Sequence, residues 1–263
     1  MRKPIGVALF LLFLPLTLTG QVSIQTTPGS KISVSYTEPS DEPQAERLRE
    51  LVARVKGAAD QLDPLTEIPI LIVHSPRELE QRIGPEGEGQ LSAVSYVHGI
   101  LFVSPTTWTR NPTEEALELE MRQALIRYNV LRLAGGNRVP FWLEDGLVSA
   151  LTQRPFAVPT GEFVAQRAPL LLARFEPEPP EVGYWAVRYL VEARGGLTPV
   201  RQLLRLVAQR PGSFVENLQL VYAVPAGELE REWRGWLVNL VEADKRQRQT
   251  GVREGPLVKD RPN

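Results

Sequence analysis

The sequence predicts an α+β protein: a small N-terminal mixed sheet with helices, followed by a mainly helical portion. Three observations predict it. Short alternating or β-branched runs separated by turn residues recur up to about residue 103. From about residue 111 apolar residues recur at spacings of three and four instead. The 263 residues are 43% hydrophobic and 23% charged, the proportions of an ordinary globular protein.

The chain opens with Arg2 and Lys3, then an apolar stretch from Ile5 to Leu18, then the small residues Thr19 and Gly20. This order predicts a signal peptide over residues 1–20, cleaved near Gly20. The apolar run is about 14 residues, short of the ~20 needed to cross a bilayer, so no membrane anchor is expected after cleavage. The expected location is secreted or periplasmic. The mature part is expected to be one domain over residues 21–246, sheet-rich to 108 and helical from 109.

Val22 to Thr26 and Ile32 to Tyr36 alternate apolar and polar residues around Pro28-Gly29, which predicts two strands joined by a turn. From Pro43 to Leu62 an apolar stripe at Leu48, Leu51, Val52, Val55, Ala59 and Leu62 predicts a helix. Ile68 to Val73 is a near-continuous β-branched run and predicts a strand buried on both faces. Ser75-Pro76-Arg77-Glu78 has the capping pattern of a short helix. Leu91 to Val103, alternating around His98-Gly99, reads as a hairpin.

Asn111-Pro112-Thr113-Glu114 is a second capping pattern, and the amphipathic run behind it predicts a long central helix to about Leu133. Another helix is expected after Pro140. The Pro-rich stretch from Pro155 to Pro180 is expected to be an extended connection. Further helices are expected over Tyr184 to Arg194, over Pro199 to Gln209 behind a Thr198 cap, and from Gly227 to about Lys245. Residues 247–263 are polar and aperiodic, and a disordered tail is expected there.

Composition excludes several function classes. A formal net charge of −1 lacks the basic footprint of a phosphate-neutralising protein, so no nucleic-acid partner is expected. There is no Cys, and therefore no disulfide, iron–sulfur cluster, thiolate zinc site or Cys nucleophile. His74 and His98 are the two histidines, in different predicted elements, and are expected to be structural or surface residues. There is no Gly-x-Ser-x-Gly elbow for a serine hydrolase. The acidic cluster Glu114, Glu115, Glu118 and Glu120 opens the central helix, where negative charge complements the helix dipole and faces water.

The most informative stretch is Leu119-Glu120-Met121-Arg122-Gln123-Ala124-Leu125-Ile126-Arg127-Tyr128, followed by Pro140-Phe141-Trp142-Leu143-Glu144-Asp145-Gly146. It resembles the peptidase MA-like family of gluzincin metallopeptidases. In that family a helix carries His-Glu-x-x-His, and a second motif, Pro-x-Trp-Leu-x-Glu-Gly, supplies a third zinc ligand from its Glu. Two His four residues apart share one helical face and can hold a metal, and the Glu beside the first polarises a water. The second motif is well matched here. At the positions of the first, the resemblance puts Gln123, Ala124 and Arg127 where His, Glu and His belong, and Asp145 where the ligand Glu belongs. Gln123 is a poor zinc ligand, Ala124 cannot act as a base, and Arg127 is a permanent cation that repels a metal.

The resemblance therefore implies a gluzincin-like fold without its zinc site, and neither metal nor cofactor is expected. Arg127 is expected either to stand in for the metal, pairing Asp145 with Gln123 hydrogen-bonding nearby, or to sit with Asp145 in an unrelated solvated groove. Glu120, Trp142, Glu144 and Tyr184 are the candidates for lining the groove, with core packing the competing role for Trp142. The leading functional expectation is an exported pseudopeptidase that binds a peptide or protein in the old groove, or acts as a scaffold. The alternatives are an active hydrolase using Glu144, Asp145 and Glu120, and a structural cell-envelope protein.

Overall fold

The computed structural model describes residues 20–25, 30–83, 92–103, 113–152, 156–167 and 175–250. Most of the leader expected over residues 1–20 lies outside these; Gly20 is the first residue of strand β1 (Gly20–Gln25). The protein is α+β, a five-stranded mixed sheet followed by a helical assembly.

β1 runs antiparallel to β2 (Lys31–Tyr36), with Val22 opposite Val34. A crossover through helices α1 (Glu42–Val55) and α2 (Gly57–Asp60) leads to β3 (Glu67–Val73), parallel to β2. The single helix expected over 43–62 is thus two. α3 (Pro76–Ile83) follows, with the Ser75 hydroxyl accepting from the Glu78 amide at 3.1 Å. β4 (Ser92–Ser95) and β5 (Gly99–Val103) form the expected hairpin. β5 pairs parallel with β3, so the sheet order is β1-β2-β3-β5-β4 and β4 forms an edge.

The period of two along the strands separates two cores. Ile68, Ile70 and Ile72 of β3 join Ile32, Val34, Ile100 and Phe102 in the main core beneath α1 and the central helix. Leu71 and Val73 face the other way and form a small cluster with Leu79, Ala93, Leu101 and Val103. β3 is therefore buried on both faces, which its unbroken apolar run requires.

The central helix α4 spans Glu114–Leu133 behind Thr113, whose hydroxyl accepts from the Ala116 amide at 3.2 Å. Its first turns also pair with α1. Glu114 accepts from Arg47 and Arg54 at 2.7 Å each, and Glu118 lies 3.5 Å from Arg54 and 3.2 Å from Arg122. These hydrogen bonds, that from Arg47 foremost, hold the Glu114 carboxyl below its ordinary range. The opening acidic cluster thus joins two helices as well as facing water.

α5 (Phe141–Leu151) packs against α7 (Pro180–Ala193) through two glycines. A Cβ on Gly146 would lie 2.2 Å from the Gly183 carbonyl oxygen, and one on Gly183 would lie 2.5 Å from that of Trp142. Only hydrogen in place of a side chain permits this approach. Trp142, Trp185 and Trp233 are buried around it, and the Trp233 indole donates to the Trp185 carbonyl at 3.3 Å.

The helical half corrects several expectations. The Pro-rich stretch contains helix α6 (Gly161–Arg167), started by Thr160, whose hydroxyl accepts from the Phe163 amide at 3.1 Å. α7 begins at Pro180, four residues before the expected start, because a proline at the first helical position loses no hydrogen bond. α8 spans Leu197–Gln209 with Gly196 at its N-cap; Thr198 lies inside the first turn and accepts from Arg201 at 2.9 Å. α9 (Phe214–Tyr222) occupies a stretch with no expected element. α10 runs Ala226–Thr250, past the expected end at Lys245 and through the first four residues of the expected tail. Pairs at Glu242–Lys245 and Asp244–Arg248, each 2.8 Å, support that polar end. The rest of the expected tail lies outside the described residues. Among the described residues no helix is long and apolar enough to cross a membrane.

Candidate functional site

Edge strand β4, helix α4 and the start of helix α5 assemble the candidate site. β4 and α4 are tied by the Ser92 hydroxyl, which donates to Glu120 Oε1 at 2.5 Å. Along α4 the helical period places Gln123 and Arg127 one and two turns further on, four residues apart.

Arg127 reaches across to α5. Its Nη2 donates to Asp145 Oδ1 at 3.2 Å, and its Nε lies 3.5 Å from Glu144 Oε1. One guanidinium therefore serves two consecutive carboxylates. The three side chains keep 36%, 32% and 27% of their exposure (Arg127, Glu144, Asp145), a half-buried cluster in which screening by water is incomplete. Burial pushes the Glu144 carboxyl above its ordinary range; Arg127 opposes that rise and neighbouring Asp145 adds to it.

The remaining expected positions divide. The Gln123 side chain is half-buried and, among the described residues, makes no hydrogen bond, so it is not part of the Arg127–Asp145 arrangement as expected. Ala124 is 1% exposed and belongs to the main core. Trp142 is no groove wall: it is 1% exposed and meets Phe214 edge-on at 6.2 Å. Its place on α5, one residue after the helix starts, turns it inward toward α9, an element absent from the sequence reading. Tyr184 is likewise buried, between Phe156 at 5.2 Å and Trp185 at 5.0 Å. Glu120 is bound to Ser92 and lies two helical turns from Arg127, about 10 Å along the axis, so it does not join the Glu144–Asp145 pair.

The histidines lie on other elements. His74, just after β3, has Nε2 2.9 Å from Thr37 Oγ1 and 3.3 Å from Asp41 Oδ2. His98 is in the β4–β5 turn, where its amide donates to Ser95 Oγ at 3.2 Å. Among the described residues no group of three or more His, Asp or Glu side chains is placed to hold a metal ion.

A cavity of about 340 Å³ opens beside Glu144, lined also by Val130, Leu131, Arg138, Val139 and Phe141. The Arg138 guanidinium lies over the Phe141 ring, 5.2 Å from its centroid. The Tyr96 ring, 57% exposed in the hairpin turn, covers Gly136 at the cavity's edge, where a Cβ would come within 2.8 Å of Tyr96 Cγ. Gly136 also holds φ +79°, a second reason for glycine there. The sequence reading missed Arg138 and Phe141 as site residues. The signal was the Gly-Gly-Asn break after α4, which turns the chain so that Arg138 and Glu144 line one space.

Comparison with protein-family models finds none that matches the chain, and comparison with curated proteins finds no match either.

Proposed function

We propose that the protein is an exported pseudopeptidase of the peptidase MA-like kind, which binds an extended peptide or protein segment along edge strand β4, beside helix α4, without hydrolysing it. The observation that carries the reading is Arg127 between Asp145 and Glu144. A fixed positive charge occupies the place where the family resemblance puts a metal ligand, and it satisfies the carboxylate that would have completed the site.

The surroundings support the same reading. Ala124 offers no base to activate a water, and Gln123 offers a weak ligand at most. Among the described residues no strand pairs with the outer side of β4, which leaves backbone donors and acceptors that an incoming strand could use. Export is part of the proposal and rests on the order of residues 1–20.

The test is metal analysis of the purified protein, a broad peptide-cleavage screen with and without chelator, and binding of the same peptides. The proposal expects peptide binding without cleavage and without stoichiometric metal. Stoichiometric zinc with chelator-sensitive cleavage would overturn it. Chelator-insensitive cleavage abolished by Glu144→Gln would instead favour a carboxylate hydrolase.

A further inference from the structure

The cavity beside Glu144 has an electrostatic arrangement that the peptide groove does not use. Its two charged wall residues have opposite sign, Arg138 and Glu144, yet they form no ion pair with each other. Arg138 rests on Phe141 and, among the described residues, has no carboxylate partner. Glu144 has only a share of Arg127, which is nearer Asp145. The rest of the wall includes the aliphatic residues Val130, Leu131 and Val139.

Charge balance selects the ligand class. Arg127 and Arg138 together match Glu144 and Asp145, so the site as a whole is neutral, but its positive and negative ends are held apart. A lone cation would contact Glu144 alone and a lone anion Arg138 alone. A molecule carrying both charges answers each end and preserves neutrality. A volume of about 340 Å³ is at the lower end of small-molecule sites, enough for an amino acid or a dipeptide. The guanidinium fork of Arg138, held on an aromatic face, suits a carboxylate.

We infer that this cavity binds a small α-amino zwitterion, a free amino acid or dipeptide, with its ammonium on Glu144 and its carboxylate on Arg138. The inference goes beyond the peptide groove and does not depend on it, since the cavity would serve equally in a scaffold.

Calorimetric titration of the full chain tests it, with L-alanine, L-alanyl-L-alanine, N-acetyl-L-alanyl-L-alanine and L-alanyl-L-alanine amide as probes. At least one zwitterion should bind at millimolar concentration or below, and the acetylated and amidated dipeptides at least about tenfold more weakly than the parent dipeptide. In Arg138→Gln the preference over the amide should vanish while preference over the acetylated form persists. Glu144→Gln should show the opposite pattern. Arg138 is an exposed residue, so that variant keeps the test valid if Glu144→Gln fails to fold. Absence of zwitterion binding, or equal affinity for blocked and unblocked dipeptides, would overturn the inference.

Discussion

The Nη2 of Arg127 on α4 lies 3.2 Å from the carboxylate of Asp145 on α5, with Glu144 3.5 Å from its Nε. Two adjacent like charges on one helix turn are tolerated because a single cation from the neighbouring helix lies against both. Arg127→Met should therefore destabilise the protein by about 1 kcal/mol at neutral pH, between the values for exposed and buried pairs. Adding Asp145→Asn should recover part of the loss, since the repulsion left behind is then removed. A urea-denaturation double-mutant cycle reads both numbers; a loss unaffected by the second substitution would show that Arg127 contributes packing alone.

Burial, more than any charge, raises the Glu144 carboxyl above its ordinary value of 4.5. The folded protein consequently binds this proton more readily than the unfolded chain does. That contribution is present below the unfolded value and is lost as pH rises through the folded one. Glu144→Gln cannot lose it. Relative to the parent, the variant should gain stability as the pH is raised from 4 towards neutrality, with a plateau above the folded value. Thermal melts of both proteins across that range check the sign, and parallel pH profiles would contradict it.

Gly146 is required by helix packing. Its missing Cβ leaves room for the Gly183 carbonyl, which a methyl group would meet at 2.2 Å, and Val187 Cγ2 would be at 2.6 Å. Backbone cannot move aside as a flexible side chain can, so Gly146→Ala should cost about 3 kcal/mol despite alanine's better helix propensity. An unchanged denaturation midpoint would mean that α5 and α7 separate easily.

Asn129 is fully buried, and its amide donates to the carbonyls of Ala59 at 2.9 Å and Asp63 at 2.6 Å while its oxygen accepts from Arg132 at 2.8 Å. Asn129→Leu keeps the size and strands those partners. The expected loss is about 2 to 4 kcal/mol in chemical denaturation. Arg205→Ala, which removes one exposed contact to Asp63, should cost less than about 1 kcal/mol.

Restoring ligand types tests the ancestry implied by the pseudopeptidase reading. Gln123→His, Arg127→His and Asp145→Glu together place two imidazoles four residues apart on α4 and a longer carboxylate on α5. This triple variant should take up one equivalent of zinc under conditions in which the parent does not, measured by atomic absorption after dialysis. Ala124 is left unchanged because it is 1% exposed, and a glutamate there would be driven into the core. Failure of a folded triple variant to bind zinc would separate this site from the metallopeptidase arrangement.

Elements with a local signature were legible before folding. The unbroken Ile68–Val73 run, the Thr113 cap and the spacing through α4 each identify their element from neighbouring residues alone. α6 and α9 were not, because they are short and surrounded by Pro, Gly and Ser, and their stability comes from partners distant in sequence: Phe214 of α9 packs on Trp142 and Phe175. The polar end of α10 misled for the opposite reason, since charge pairs within the helix replace an apolar stripe.

At the site, the residue types alone decided the chemistry that is missing: no histidine at 123 or 127 and no acid at 124, whatever the fold. They also established that Arg127 and the carboxylates of α5 would lie on helices of known phase. The fold decided the rest. Trp142 turns inward because Phe214 of α9 packs on it, Tyr184 is enclosed by Phe156 and Trp185, Gln123 remains outside the hydrogen-bonded cluster, and Arg138 shares a cavity with Glu144. Spacing along a helix fixes which face a side chain occupies, whereas the neighbour that covers that face, and the distance between charges on two helices, depend on packing contacts formed between segments far apart in the chain.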